Sequence, residues 1–289
     1  APAANPGAPV IPQLLAKDGE LAAWMIGELR ALGYTEVNLN LGCPSGTVTA
    51  KGKGSGMLRD PAVLDAYVAA ERRDIANPNS THIAGQEARA EMERVTTSIA
   101  NHLGVQPAEI IYTSGASEAN NLAIKGIAQA SRHIGKHIIS TQLEHSSIGA
   151  SLSVLQQQGY EIDLLNINRD GRVDLDQLRE LMRNDTILVA VCAVDSELGT
   201  VQPIQELAEI VKPYPGCRLH VDATQAVGKT DLWLDGVDTM SFTAHKFYGP
   251  NGIGALYKRR GLVIEPQISG GASTTIYRSG TPTLGLAVS

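Results

Sequence analysis

Aromatic side chains are scarce in this chain: 4% of 289 residues, with two phenylalanines and two tryptophans. A module that binds by exposed aromatic stacking is disfavoured by that alone. Cysteines are fewer than a scaffold needs; Cys43, Cys192 and Cys217 are scattered, odd in number and form no CxxC pair. A disulfide framework and a structural zinc site are thereby excluded, no metal is expected, and a reducing cytoplasm is the natural compartment. No apolar run reaches the length of a membrane span; the longest, Ile187 to Val194, suits a buried strand. The start is rich in Ala and Pro but lacks a basic segment followed by an apolar one, so no signal peptide is read there. It also lacks an initiator Met, as a fragment or a processed start would. A net charge of −6 offers no basic footprint for nucleic acid.

What is abundant is glycine, 29 residues, in a chain with 43% apolar and 19% charged residues. That balance suits a soluble α/β enzyme with many tight turns. The chain divides into two unequal pieces, residues 1–60 and 61–289. In the first, Val10-Ile-Pro-Gln-Leu-Leu reads as a strand and Leu21 to Leu32 as a helix. Glu36 to Leu41 then alternates as a second strand and opens into a glycine-rich loop. In the second, Ala88, Met92, Val95, Ile99 and Leu103 share one face of a helix expected over Gln86–Leu103. Strands at Glu109–Thr113, Lys136–Thr141, Glu161–Ile167, Thr186–Val194, Arg218–Asp222, Thr239–Thr243 and Gly254–Tyr257 then alternate with helices, the last pair as a hairpin. Such alternation predicts a mostly parallel sheet with helices on both faces. Chemistry on such a sheet collects beyond the carboxyl ends of the strands.

Four of those ends carry unlike polar groups. Thr113-Ser-Gly-Ala-Ser opens a helix, and small residues at a helix N-terminus let backbone N–H groups approach a phosphate. Glu144-His145 follows the next strand. His220-Val-Asp222 places a carboxylate at the end of a buried strand, where it needs a cationic partner such as a protonated ring nitrogen. Thr243-Ala-His245-Lys246 places an amine where a Schiff base to an aldehyde cofactor would form. Each alone has a plain structural reading: a turn, a capping histidine, a helix-capping aspartate, a surface lysine. In order on successive strand ends they favour one site.

Over about Pro61 to Thr281 these stretches closely resemble cysteine desulfurases of the class V aminotransferase group. The resemblance rests on Asn77-Pro-Asn-Ser-Thr-His, Thr113-Ser-Gly-Ala-Ser-Glu-Ala-Asn-Asn-Leu-Ala-Ile-Lys-Gly, Glu144-His145, His220-Val-Asp-Ala-Thr-Gln225, Thr243-Ala-His-Lys-Phe-Tyr-Gly-Pro-Asn-Gly-Ile-Gly and Arg278-Ser-Gly-Thr281. It implies the large domain of a type I transferase fold that uses pyridoxal 5'-phosphate (PLP). Lys246 would hold the cofactor and move protons, Asp222 would meet the ring nitrogen, and His145 would stack on the ring. Ala116, Ser117, Thr243 and His245 would bind the phosphate, Gln225 the ring oxygen, and Thr281 the phosphate of the other subunit of a homodimer. The implied reaction takes sulfur from L-cysteine, leaving alanine and an enzyme persulfide for a sulfur-acceptor or scaffold protein, as in iron–sulfur cluster assembly.

Three departures from the pattern stand out. Ser196 occupies the place of the family's ring-oxygen asparagine, so that contact is expected to be weakened or water-bridged. Gly270-Gly-Ala-Ser-Thr-Thr replaces a more glycine-rich stretch before Arg278. The sulfur-accepting cysteine and the arginine that grips the substrate carboxylate would fall beyond Ser289, so the chain is expected to bind PLP without completing desulfuration. None of the three cysteines reads as a convincing replacement: Cys192 reads as core, and Cys217, in a Pro-Gly turn beside Arg218, is suggestive but outside the expected place.

The first piece resembles FMN-dependent tRNA-dihydrouridine synthases over about Val10 to Pro61, through Asn38-Leu-Asn-Leu-Gly-Cys-Pro-Ser-Gly-Thr-Val and Gly54-Ser-Gly-Met-Leu-Arg-Asp-Pro. Cys43 would be the proton donor and Gln13 a flavin contact, making FMN the alternative cofactor. Those enzymes are (β/α)8 barrels of about 250 residues. A short βαβ fragment of one, fused through Asp60-Pro61, is what the first piece is expected to be.

Overall fold

In the computed structural model, which describes residues 13–14, 19–31, 38–39, 61–73, 76–271 and 274–289, the expected alternation becomes the fold. In the first piece β1 (Gln13–Leu14) and β2 (Asn38–Leu39) pair in parallel, with α1 (Gly19–Ala31) between them in sequence. The second piece begins with α2 (Pro61–Arg73) and α3 (Ile83–Leu103), then β3 (Ile110–Thr113) and α4 (Ala116–Ala130). There follow β4 (His137–Thr141), α5 (Ser146–Gln157), β5 (Glu161–Leu165), α6 (Leu175–Leu181) and β6 (Thr186–Cys192). The chain continues through α7 (Ile204–Val211), β7 (Arg218–Asp222), β8 (Thr239–Thr243) and β9 (Gly254–Lys258) to α8 (Leu284–Val288).

Helix α3 starts three residues before the expected Gln86, because His82 caps it, its Nδ1 accepting the Gly85 N–H at 3.1 Å. It ends where Gly104 takes a left-handed φ of 70°, which costs glycine nothing. Strands β5 and β6 stop at Leu165 and Cys192, short of the expected Ile167 and Val194. Those two residues instead make single bridges, Ile167 to Val173 and Val194 to Val201.

Seven strands form one sheet in the spatial order β3-β9-β8-β7-β6-β4-β5. The pairs β4–β5, β4–β6, β6–β7 and β7–β8 are parallel, whereas β9 runs antiparallel to both β8 and β3. All seven residues of β6 are buried, the hallmark of a central strand covered on both faces. Alternate strand residues enter different cores. Leu219, Val221, Met240 and Phe242 pack with α7 residues such as Leu207. Ile138, Leu188 and Leu256 pack with α4 and α5 through Ile124, Ile127 and Leu152. Each such large side chain contributes about 1.5–3 kcal/mol by leaving water. The carboxyl ends of β3, β4, β6, β7 and β8 share one edge of the sheet, since two antiparallel steps bring β3 back into the direction of β8.

Gly254 makes that edge possible. It lies between Thr113 and Thr243 in register, and a Cβ there would meet the Gly115 Cα at 2.6 Å and the Phe242 carbonyl oxygen at 2.7 Å. Only a glycine lets β9 pass directly beneath the turn before α4.

Candidate active site

The strand ends surround a cleft of about 500 Å³ lined by residues of the turn before α4 and of the β4, β6, β7 and β8 ends. Ala116, Ser117, His145, Ser196, Asp222, Gln225, Thr243, His245 and Lys246 all line it. These are every residue the resemblance places in this subunit's PLP site. Thr281 does not line this cleft; its Oγ1 accepts from Asn77 Nδ2 at 3.2 Å within the chain. Gln13 lies in β1, opposite Asn38, and Cys43 falls outside the described residues. A second, more apolar cleft between α3, the β8–β9 connection and α8 holds none of the expected site residues.

Asp222 is 4% exposed, so its carboxylate needs partners. Its Oδ1 accepts the Thr224 N–H at 2.9 Å and its Oδ2 accepts from Asn120 Nδ2 at 2.8 Å. Asn120, on α4, also donates to Ser147 Oγ at 2.9 Å. Its Oδ1 meets His220 Nε2 at 3.0 Å and accepts from Ser241 Oγ. His220 Nδ1 lies 2.9 Å from Thr239 Oγ1, and burial pushes the ring's pKa down to about 4. Sequence reasoning missed Asn120. The signal available was the polar–apolar alternation of His220-Val-Asp222 and Thr239-Met-Ser241 in strands covered on both faces, which requires a polar partner on the facing helix.

His145 caps α5. Its Nδ1 accepts the Ser147 N–H at 3.2 Å and lies 2.9 Å from Ser147 Oγ. The turn carrying it is held by Glu144, whose Oε1 accepts from Thr141 Oγ1 at 2.8 Å and from the Cys192 N–H at 3.0 Å. Glu144 as a whole is half-buried, but its Oε2 is sealed from solvent and has no hydrogen-bond partner. The atom decides the chemistry: burial, with Asp222 and Asp195 nearby, pushes the carboxyl's pKa up to about 8.

Positive charge gathers on the opposite side. Lys229 Nζ donates to Gln225 Oε1 at 2.7 Å. Burial and the charge of Lys246 hold Lys229 down at about 8. His245 is held at about 4 by burial, then by Lys246 and Lys229, and its Nδ1 lies 3.2 Å from Thr243 Oγ1. The N-terminus of α4 faces the same cleft, and Gly115 gives it no side-chain cap. Crowded cations beside an uncapped helix N-terminus suit a doubly charged phosphate, and a buried carboxylate suits a protonated ring nitrogen. The donor set therefore fits PLP. Arg278 Nε donates to Glu118 Oε1 at 2.8 Å, tying the segment before Thr281 to the first turn of α4.

Among the described residues neither thiol is placed or activated as a nucleophile. Cys192 lies in the cleft wall, and Cys217, which its turn made suggestive, is 3% exposed. Burial raises both thiols, Cys217 to about 12. Among the described residues no group of His, Cys, Asp or Glu is placed to hold a metal ion, and no helix is long and apolar enough to cross a membrane.

Comparisons with known proteins match this geometry. The aminotransferase class-V profile matches residues 56–283, and the dihydrouridine synthase (Dus) profile matches residues 2–103. The NifS/IcsS protein homolog of Lactobacillus delbrueckii subsp. bulgaricus is 41% identical over 227 residues, covering 78% of this chain and 59% of its own length. The cysteine desulfurase IscS of Dictyoglomus turgidum is 44% identical over 212 residues, covering 73% of this chain and 54% of its own length. A solved NifS-like protein superposes with a TM-score of 0.76 at 37% identity, covering 79% of this chain and 64% of that one. The chain thus spans about half the length of the curated relatives it matches. With more than half of its residues matched by that profile, the chain belongs to the class-V aminotransferase family, which uses PLP.

Proposed function

We propose that this chain holds PLP through Lys246 and acts on L-cysteine as the cofactor-binding part of a cysteine desulfurase. The observation that carries the reading is the convergence of Lys246, Asp222, His145 and the α4 N-terminus on one cleft. When bound there, PLP supplies a sink for the electrons released at the substrate's α-carbon. Lys246 would carry the attachment and would move the proton at the substrate's α-carbon. Asp222 holds a proton at the ring nitrogen, and His145 covers the ring face. Ala116, Ser117, Thr243 and His245 hold the phosphate. Gln225, with Lys229 on its amide oxygen, faces the ring oxygen, and the short Ser196 leaves room for water there.

In the complete reaction the Cβ–S bond of cysteine breaks. The sulfur passes to a thiolate, giving a persulfide, and the carbon skeleton takes up a proton as alanine. Cys192 and Cys217 are too buried and too weakly acidic to be that thiolate. On the family resemblance the acceptor is proposed to be a cysteine elsewhere, in a longer chain or a partner protein. The working form is proposed to be a cytoplasmic homodimer in which Thr281 serves the neighbouring site, and residues 61–289 are proposed as the PLP-binding domain. The Dus match supports a barrel-derived origin for residues 1–60, but one strand–helix–strand unit cannot enclose a flavin.

The test is the visible spectrum of protein purified with added PLP, followed by borohydride reduction and peptide mapping. A lysine-linked chromophore, with the adduct on Lys246 and none in Lys246→Ala, supports the reading. An adduct spread over surface lysines, or no chromophore, rejects it.

A further inference from the structure

Asn120 joins Asp222, Ser147, His220 and Ser241 beneath the cleft, and its amide has no valence left over. An amide has two hydrogens to give and two lone pairs to fill. A carboxylate only accepts, so the atom facing Asp222 Oδ2 at 2.8 Å is the nitrogen. Its second hydrogen goes to Ser147 Oγ at 2.9 Å. The amide oxygen then accepts from Ser241 Oγ and from His220 Nε2 at 3.0 Å.

Proton positions follow outward from that orientation. Ser147 Oγ, accepting from Asn120 with one lone pair, lies 2.9 Å from His145 Nδ1 with its single hydrogen free to donate there. The Ser147 backbone N–H donates to the same nitrogen at 3.2 Å. His145 Nδ1 is thus an acceptor, and a neutral His145 carries its proton on Nε2. His220 must carry its proton on Nε2 to reach Asn120, leaving Nδ1 to accept from Thr239 Oγ1 at 2.9 Å.

We propose that Asn120 is a positioning residue that binds His145 and Asp222 into one proton-ordered unit, fixing the tautomer of the first and the orientation of the second. The two residues that would grip the PLP ring, from its face and at its nitrogen, are then tied together by a single side chain on α4 that lines no part of the cleft. This consequence rests on the proposed function; the wiring itself does not.

The test is nitrogen NMR of the full chain labelled with 15N-histidine, its His145 signals identified with His145→Gln, read without and with added PLP. Wild-type protein is expected to show His145 Nδ1 and His220 Nδ1 unprotonated and both Nε2 atoms protonated. The opposite assignment for either ring overturns the proposal without any variant. In Asn120→Ala and in Ser147→Ala the His145 tautomer ratio is expected to fall roughly fivefold, about the worth of one hydrogen bond. An unchanged ratio in a folded Asn120→Ala protein refutes the role of Asn120. With PLP bound, the pH at which the lysine-linked chromophore titrates shifts in Asn120→Ala, a readout that loss of stability alone would not move. If no adduct forms on Lys246 while the ring signals are as expected, the cofactor reading fails and the wiring stands.

Discussion

Glu144 reaches across two strand ends to Cys192, its Oε1 accepting the Cys192 backbone N–H at 3.0 Å. The same carboxyl group is protonated more readily in the fold than outside it, with a pKa raised from 4.5 to about 8 by burial. Below 4.5 both the folded and the unfolded chain hold the proton; between 4.5 and 8 only the folded chain does. Stability from this group therefore falls as pH rises through that window and is level above it. Glu144→Gln keeps the acceptor oxygen and removes the titration. Its advantage over wild type is expected to grow to a few kcal/mol between about pH 5 and about pH 8. Urea unfolding at the two pH values checks this; an equal effect at both would show that Glu144 does not titrate in that range.

Lys246 in the cleft wall repels Lys229, which stands behind Gln225. Lys246→Ala removes the charge that helps hold Lys229 near 8, so the Lys229 titration is expected to move upward. NMR of isotopically labelled, unmodified lysine side chains reads it directly. Adding PLP to wild-type protein should move it the same way, because the phosphate brings opposite charge. A fixed Lys229 titration in both experiments would show that the two amines are not coupled.

A methyl group at Gly254 has nowhere to go, because backbone atoms of Gly115 and Phe242 already occupy the space. Gly254→Ala is expected to cost about 2–3 kcal/mol of stability through overpacking. It should also weaken PLP binding more than the equally small change Gly149→Ala, where a Cβ meets nothing within 4 Å. Thermal unfolding and PLP titration of the two variants side by side make the comparison. Equal PLP affinity would separate the β9 crossing from the phosphate turn.

Cys192 and Cys217 should resist thiol reagents in the native protein, reacting roughly a hundredfold more slowly than in urea. Protein loaded with PLP and given L-cysteine should carry no persulfide on either residue. Mass spectrometry of the two peptides checks both statements, and a persulfide on Cys192 would make the cleft wall itself the sulfur acceptor.

The strands of the second piece were legible because buried strands need apolar runs, and nothing else in the chain offers runs such as Ile187 to Val194. Lys246, Asp222 and His145 were legible because polar groups at buried strand ends require a purpose. Asn120 was not legible, for a physical reason. It sits beside Asn121 in the same run of small residues, and only the turn of α4 separates their fates. Asn121 bonds locally, to the Ser117 carbonyl and to Lys125, whereas the partners of Asn120 arrive from β7, β8 and α5. Glu144 was read only as the neighbour of His145, since its hydrogen-bond partner on β6 is nowhere near it in sequence. Cys217 sits in a turn, yet the chain folds its thiol inward, in keeping with its rejection as a sulfur acceptor.

Strand β9 has a consequence for the order in which the protein comes into being. Among the described residues β3, which leads into the phosphate turn, pairs with no strand but β9, and β9 follows the other six strands of that sheet in sequence. While a ribosome is still producing the strands between them, the turn before α4 has no floor and Thr113 has no neighbour on the sheet. The cleft cannot close around a ligand until Gly254 through Lys258 have emerged and slid between β3 and β8. Cofactor capture is thereby postponed until β9 has been made, and a nascent chain interrupted before β9 would carry all the ring-binding residues yet no place to put the ring.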